Sequence, residues 1–130
     1  MDLNQVTMPV TDLSRSIAFY ERLGLTLIVR AEERYARFEL PFGNATFSLH
    51  HADEVRTPTG VVVYFECEDL DERVARLIAS GITFDTLPTD QPWLWREAYT
   101  RDPDGHVICL FRAGTHRHNP PWRIRTETDE

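Results

Sequence analysis

The chain repeats itself, and the repeat limits its fold more than any other property of the sequence. Asp12-Leu13 opens a run that closes at Gly24-Leu25, and Asp69-Leu70 opens one that closes at Gly81-Ile82. Asp at a helix start accepts a bond from a free amide of the first turn. Gly just past the last turn takes the left-handed conformation that ends a helix. The first run puts Leu13, Ile17, Tyr20 and Leu23 on one face, and the second puts Leu70, Val74, Leu77 and Ile78 there. Both spacings are those of a helix packed on a sheet.

A strand precedes each helix. Val6, Met8 and Val10 alternate with more polar neighbours, and Val61, Val63, Phe65 and Cys67 form one face against Val62, Tyr64 and Glu66 on the other. The two segments superpose with a shift of 57 residues, which lays Val6 on Val63, Asp12 on Asp69, Ala18 on Ala75 and Gly24 on Gly81. Shared caps together with a shared strand phase point to internal duplication. Three more strands follow each helix: Leu25 to Ala31, Tyr35 to Leu40 and Ala45 to His51, then Ile82 to Leu87, Arg96 to Arg101 and Val107 to Arg112. Pro41-Phe42-Gly43-Asn44 and Asp102-Pro103-Asp104-Gly105 supply the last turns, and Thr57-Pro58-Thr59-Gly60 joins the halves. Each half therefore reads βαβββ. The expectation is an α+β chain forming a single domain over residues 1–130, with module one about 1–56, module two about 60–113 and a tail over 114–130.

Charge and composition narrow the function. The net charge of −7 argues against nucleic acid or an anionic membrane as partner, since phosphate binding needs clustered basic charge. All 14 basic residues are Arg, so Schiff-base chemistry and a P-loop lysine are excluded. MDLNQVTMPV has no basic or apolar leader region, no stretch approaches a membrane span, and Cys67 and Cys109 form no CxxC motif. A soluble cytoplasmic protein is expected, with disorder suggested only for the polar stretch Thr126 to Glu130.

Val10-Thr11-Asp12-Leu13-Ser14-Arg15-Ser16-Ile17-Ala18-Phe19-Tyr20 resembles the first-helix signature of the glyoxalase/bleomycin-resistance/dioxygenase (vicinal oxygen chelate) superfamily. Arg101-Asp102-Pro103-Asp104-Gly105-His106-Val107-Ile108 resembles its final hairpin, so the likeness covers about residues 1–113. It implies two βαβββ modules whose curved mixed sheets enclose a ligand cavity, usually within a homodimer of bacterial type. Fold alone does not settle function, because this superfamily hosts many chemistries.

The resemblance also implies four inward-facing metal-ligand positions, on the first and last strands of each module. They fall on Gln5, Ser48, Val62 and Cys109, where family enzymes usually carry His or Gln, Glu, His and Glu. Those N/O donors suit zinc, nickel, manganese or iron. Here only Gln5 is an accepted family ligand; valine cannot coordinate, Ser48 is weak, and Cys109 lacks companions. A catalytic metal usually needs three good protein ligands. No metal and no cofactor are therefore expected, nor glyoxalase or extradiol chemistry, both of which need the metal. The competing reading is a metalloenzyme (a lyase, isomerase or dioxygenase) with a displaced site built from Gln5, His50 and Glu66. Against it, His50 and Glu66 fall at strand ends, where side chains are wet and hydrogen-bonded. His116 and His118 read as surface residues of a loop. Asp102 and Asp104 read as turn-capping groups.

The same inward phase carries Thr7, Thr46, Tyr64 and Phe111. The seventh strand adds Glu97, Tyr99 and Arg101, and Trp93 and Trp95 stand just before it. An aromatic cleft with a few polar groups is the usual form of a small-molecule site. The candidate ligand-binding residues are Gln5, Thr7, Ser48, His50, Tyr64, Glu66, Trp95, Tyr99, Cys109 and Phe111, and no catalytic residue is assigned. Such a cleft suits a planar or cationic ligand. Bleomycin-resistance proteins, which bind a basic drug without protein metal ligands, are similar in these respects. A third reading is a dimeric module with a vestigial cavity. Cys67 is expected on the helix side, Cys109 on the cleft side with a raised thiol pKa, and Trp122 as the anchor of the Pro-rich tail.

Overall fold

The computed structural model describes residues 1–125, so the polar stretch from Thr126 to Glu130 lies outside the described residues. The structure is α+β, with two four-stranded mixed sheets, each carrying one long helix. It divides into two compact units, Met1–Val61 with Arg101–His106, and Val62–Thr100 with Val107–Glu130. No helix among the described residues is long and apolar enough to cross a membrane.

The first unit runs β1 (Gln5–Val10), α1 (Leu13–Leu23), β2 (Thr26–Ala31), β3 (Tyr35–Glu39) and β4 (Thr46–His51). The sheet order is β1-β4-β3-β2, with β1 parallel to β4 and the other pairs antiparallel. Asp12 caps α1 by accepting the Arg15 amide at 3.1 Å, and Gly24 ends it at φ 111°. All four predicted apolar residues of α1 are buried. They pack on Met8, Val10, Ala36, Phe38, Phe47 and Leu49, the alternate residues of three strands. The Tyr20 ring lies 4.7 Å from Phe47 and 6.1 Å from Phe38. A bulge between Leu27 and Val29 flips the phase of β2. Val29 therefore pairs with Arg37 on the face away from the helix, while Arg30 turns toward α1 and donates to Ser14 Oγ at 2.9 Å.

The turn over 101–106 is bonded to this unit at several points. Asp102 Oδ1 accepts the amides of Asp104 and His106, and its Oδ2 accepts the Tyr20 hydroxyl at 2.8 Å. Asp104 accepts both the amide and the hydroxyl of Thr11, and His106 Nε2 meets the Pro9 carbonyl at 2.7 Å. Gly105 sits at φ 94° with Thr57 Oγ1 only 2.6 Å from where a Cβ would stand, so both strain and space require glycine. Asp102 caps this turn as the sequence suggests, whereas the Asp104 carboxylate, expected to cap as well, is taken by Thr11 instead. Their ties to Tyr20 and Thr11 have no local signature.

The second unit runs β5 (Val62–Glu66), α2 (Leu70–Ala79), β6 (Phe84–Asp90), β7 (Arg96–Arg101) and β8 (Val107–Arg112), in sheet order β5-β8-β7-β6 with β5 parallel to β8. It repeats the topology of the first sheet strand for strand. Three local expectations fail. Asp69 does not cap α2; its carboxylate pairs with Arg73 and Arg76 at 3.1 and 3.0 Å, two guanidiniums that outcompete the amide. Ile78 is 43% exposed, because Leu70, Val74 and Leu77 already fill the stripe facing the sheet and Ile78 lies one step round from it. The strand expected at Ile82 to Leu87 begins at Phe84, since Ile82 still bonds back to Leu77 and closes the helix. It runs on through Pro88, which an edge strand tolerates.

Trp122 does not anchor the tail; it is 56% exposed. Glu66 anchors it instead. Glu66 Oε2 accepts the Ala113 and Gly114 amides at 3.0 and 3.1 Å, and Oε1 pairs with Arg117 at 3.3 Å. Trp95 Nε1 adds a bond to the His116 carbonyl at 3.3 Å. His118 is exposed as expected, but His116 is half-buried with Nδ1 unpartnered.

Candidate functional site

Each sheet covers one face with its helix and leaves the other free of it; pleating decides which side chains occupy the second face. On the first sheet they form rows of paired residues: Gln5 with Thr46 and Glu39, Thr7 with Ser48 and Arg37, and Pro9 with His50 and Tyr35. The rows are polar and bonded to one another. Thr46 Oγ1 donates to Gln5 Oε1 at 2.8 Å, Thr7 and Ser48 share a 2.6 Å hydroxyl contact, and Arg37 Nε donates to the Tyr35 hydroxyl at 2.9 Å. Burial would raise the Tyr35 phenol, but hydrogen bonds from Ser48 and Arg37 and the guanidinium charge together lower it. Ser48 is fully buried, while His50 is exposed at the strand end.

The corresponding face of the second sheet is aromatic. Val62 and Tyr64 of β5 pair with Val107 and Cys109 of β8, and Glu66 pairs with Phe111. Cys109, Phe111 and Ala113 form a buried cluster against which Val62, Trp95 and Tyr99 pack. Trp95 stacks on Phe111 at 4.7 Å and 20°, and Tyr64 stands edge-on to both, 6.0 and 5.6 Å away. Tyr64 remains 45% exposed, so this cluster has an accessible aromatic surface. Tyr99 donates to Glu97 Oε1 at 3.0 Å, and Trp93 Nε1 donates to Glu97 Oε2 at 2.8 Å. Burial, then the Tyr64 contact, raises the Tyr99 phenol. Burial first and the Glu97 charge second push the Cys109 thiol up to about 12. It is therefore a neutral thiol at ordinary pH, with no thiolate poised to attack a substrate.

The register also aligns the two modules. Thr7 faces Ser48 two residues into β1, and Tyr64 faces Cys109 two residues into β5. Gln5 and Val62 open the equivalent strands. The four positions expected to carry metal ligands are thus structurally equivalent pairs, and their chemistry does not fit a divalent cation. One is an amide already accepting a hydroxyl, one a buried hydroxyl, one a hydrocarbon and one a buried thiol without companion ligands among the described residues. The displaced alternative fares no better. Glu66 spends its carboxylate on the tail, and no group of three or more His, Cys, Asp or Glu side chains converges among the described residues.

Of the sequence-derived candidates, the second sheet brings Tyr64, Trp95, Tyr99, Cys109 and Phe111 into one cluster, and the first brings Gln5, Thr7 and Ser48 into adjoining rows. His50 ends the polar rows as an exposed residue beside Pro9 and Tyr35, and Glu66 lies beside Phe111 with its carboxylate turned to the Ala113 and Gly114 amides. Glu97 and Trp93, outside that candidate set, join the aromatic group. The signal for Glu97 is the alternation of Trp95, Glu97 and Tyr99 along one strand edge.

The comparisons agree with this architecture. The family model described as Glyoxalase/Bleomycin resistance protein/Dioxygenase superfamily matches residues 2–110. No curated protein matches the chain. Among solved structures, a glyoxalase/bleomycin resistance protein/dioxygenase from Nocardioides is 28% identical with a TM-score of 0.73, over 96% of this chain and 90% of that one. A bleomycin-binding protein complexed with bleomycin is 21% identical with a TM-score of 0.70, over 86% and 97%. A lactoylglutathione lyase from Agrobacterium tumefaciens is 20% identical with a TM-score of 0.69, over 85% and 92%. At these identities the last two show a shared fold and nothing finer.

Proposed function

The chain belongs to the glyoxalase/bleomycin resistance protein/dioxygenase superfamily, and we propose that within it this protein binds a flat aromatic small molecule without a protein-held metal. The observation that carries the reading is the Tyr64–Trp95–Phe111 group on the helix-free face of the second sheet. The Tyr64 ring, 45% exposed and held edge-on to the stacked Trp95–Phe111 pair, offers a rigid surface for a further ring. A binding or sequestering role suits this surface, and the bleomycin-bound relative supports it. The family's metal-dependent reactions do not suit it, because the four ligand positions carry no competent donor set. By the same resemblance we propose a homodimer, a state that sedimentation of the purified chain measures, and cysteine usage without a CxxC motif supports a cytoplasmic location.

The test is a thermal-shift and tryptophan-fluorescence screen of planar aromatic compounds, run with and without a strong chelator. Binding is expected to survive chelation and to stabilise the fold by RT ln(1 + [L]/Kd), about 1 kcal/mol at a few Kd. A stoichiometric transition metal in undialysed protein would overturn the metal-free reading. Silence across the whole screen would favour a vestigial face that serves only assembly.

A further inference from the structure

Resting on that reading of the aromatic face, we propose that Glu97 selects the ligand's charge: the ligand carries a planar cationic N–H group, such as an amidinium or guanidinium, that docks on this carboxylate. Glu97 is only 2% exposed. A carboxylate offers about four acceptor positions, and a buried one is ordinarily matched by a cation or a full set of donors. Glu97 has neither. Its two bonds come from neutral donors, Trp93 Nε1 and the Tyr99 hydroxyl, and none of the ion pairs among the described residues includes it. Its neighbour Arg96 is turned to the opposite face of the strand, where Asp71 and Asp90 hold it at 2.9 and 3.0 Å.

The donor on Oε2 is replaceable. Trp93 is 45% exposed and sits in the short turn between Gln91 and Trp95, closed by the Gln91 amide on the Trp95 carbonyl and the Leu94 amide on the Gln91 carbonyl. Within that turn Leu94 is held at φ 69°, a conformation costly for a branched side chain. Backbone strain of this kind gathers at ligand clamps. The indole N–H thus occupies the acceptor that a ligand N–H would take, and Glu97 is oriented before the ligand arrives. Trp95, just before β7, and Tyr99 within it flank Glu97, roughly 7 Å to either side. A flat cation bonded there lies beside rings able to stack on it.

Benzamidine and benzamide, nearly the same shape but differing in charge, test this by calorimetry and tryptophan fluorescence. The wild-type protein is expected to bind benzamidine at least about tenfold tighter, as a charge-assisted bond replaces a neutral one. In Glu97→Gln that preference falls to about onefold, and Trp93→Phe, which removes the competing N–H, tightens benzamidine a few-fold. An equal preference in Glu97→Gln and wild type overturns the proposal while leaving aromatic binding intact. Failure of both probes to bind wild type defeats the underlying reading and the proposal with it. Should Glu97→Gln not fold, Trp93→Phe decides alone: unchanged or weaker benzamidine binding overturns the proposal.

Discussion

Replacing Tyr20 by Phe removes one oxygen and keeps the ring, so it isolates the bond from Tyr20 to Asp102. The ring packs 4.7 Å from Phe47 and 6.1 Å from Phe38, contacts that phenylalanine preserves. The hydroxyl donates to Asp102 Oδ2 at 2.8 Å between two buried residues. Burial above all, and then the Asp102 charge, raise the Tyr20 phenol, so it stays protonated and a donor throughout the folded range. A hydrogen bond to a charged group contributes about 1.5–3 kcal/mol, and here the loss also leaves one buried carboxylate oxygen unsatisfied. Asp102 Oδ1 keeps its two amide donors, which holds the expectation within that range. For a chain of this length the corresponding drop in Tm is about 5–11 °C. Urea unfolding of Tyr20→Phe, Asp102→Asn and the double variant closes a cycle whose coupling energy should be about 1–3 kcal/mol. A Tyr20→Phe loss below about 0.5 kcal/mol would show that the bond contributes nothing net, and the reasoning would fail.

Three further outcomes are expected. With its thiol pushed up to about 12, Cys109 should resist iodoacetamide at pH 8 in the native protein and react only once denaturant unfolds it; rapid native labelling of Cys109 would refute the burial argument. The sign of the pH dependence follows: the folded state holds the proton more tightly, so Cys109 contributes stability that is present below its unfolded value, near 8.5, and lost as pH rises toward about 12. Cys109→Ala should flatten that alkaline loss in melting curves. Glu66→Ala strips the acceptor from the Ala113 and Gly114 amides and should cost about 1 kcal/mol, read locally as faster hydrogen exchange at those two amides. Unchanged exchange there would mean that the tail is held by other contacts.

The fold was legible because periodicity is a local signal. Val6, Met8 and Val10, and the α1 stripe from Leu13 to Leu23, announce themselves within a few residues, and duplication doubles every such signal. What stayed hidden depends on partners distant in the chain. Glu66 looked available for a ligand until residues 47 and 48 positions onward claimed it. Asp69 has the sequence of a cap, yet the choice between an amide and two guanidiniums is settled by side-chain competition. The bulge in β2 is equally silent in the sequence, although it decides which face Val29 and Arg30 share. Glu97 illustrates the limit most directly. Alternation gives its face, but only the positions of Asp71 and Asp90 reveal that the neighbouring Arg96 is already taken.

The turn over 101–106 bears on how such a protein is made. Its residues complete the first unit, bonding Pro9, Thr11 and Tyr20 from 82 to 97 positions away. As the chain leaves the ribosome, the amino-terminal module therefore waits for a segment synthesised near the end, and its final stability arrives late. A gene fragment encoding that module alone would yield a sheet and helix lacking their closing clasp.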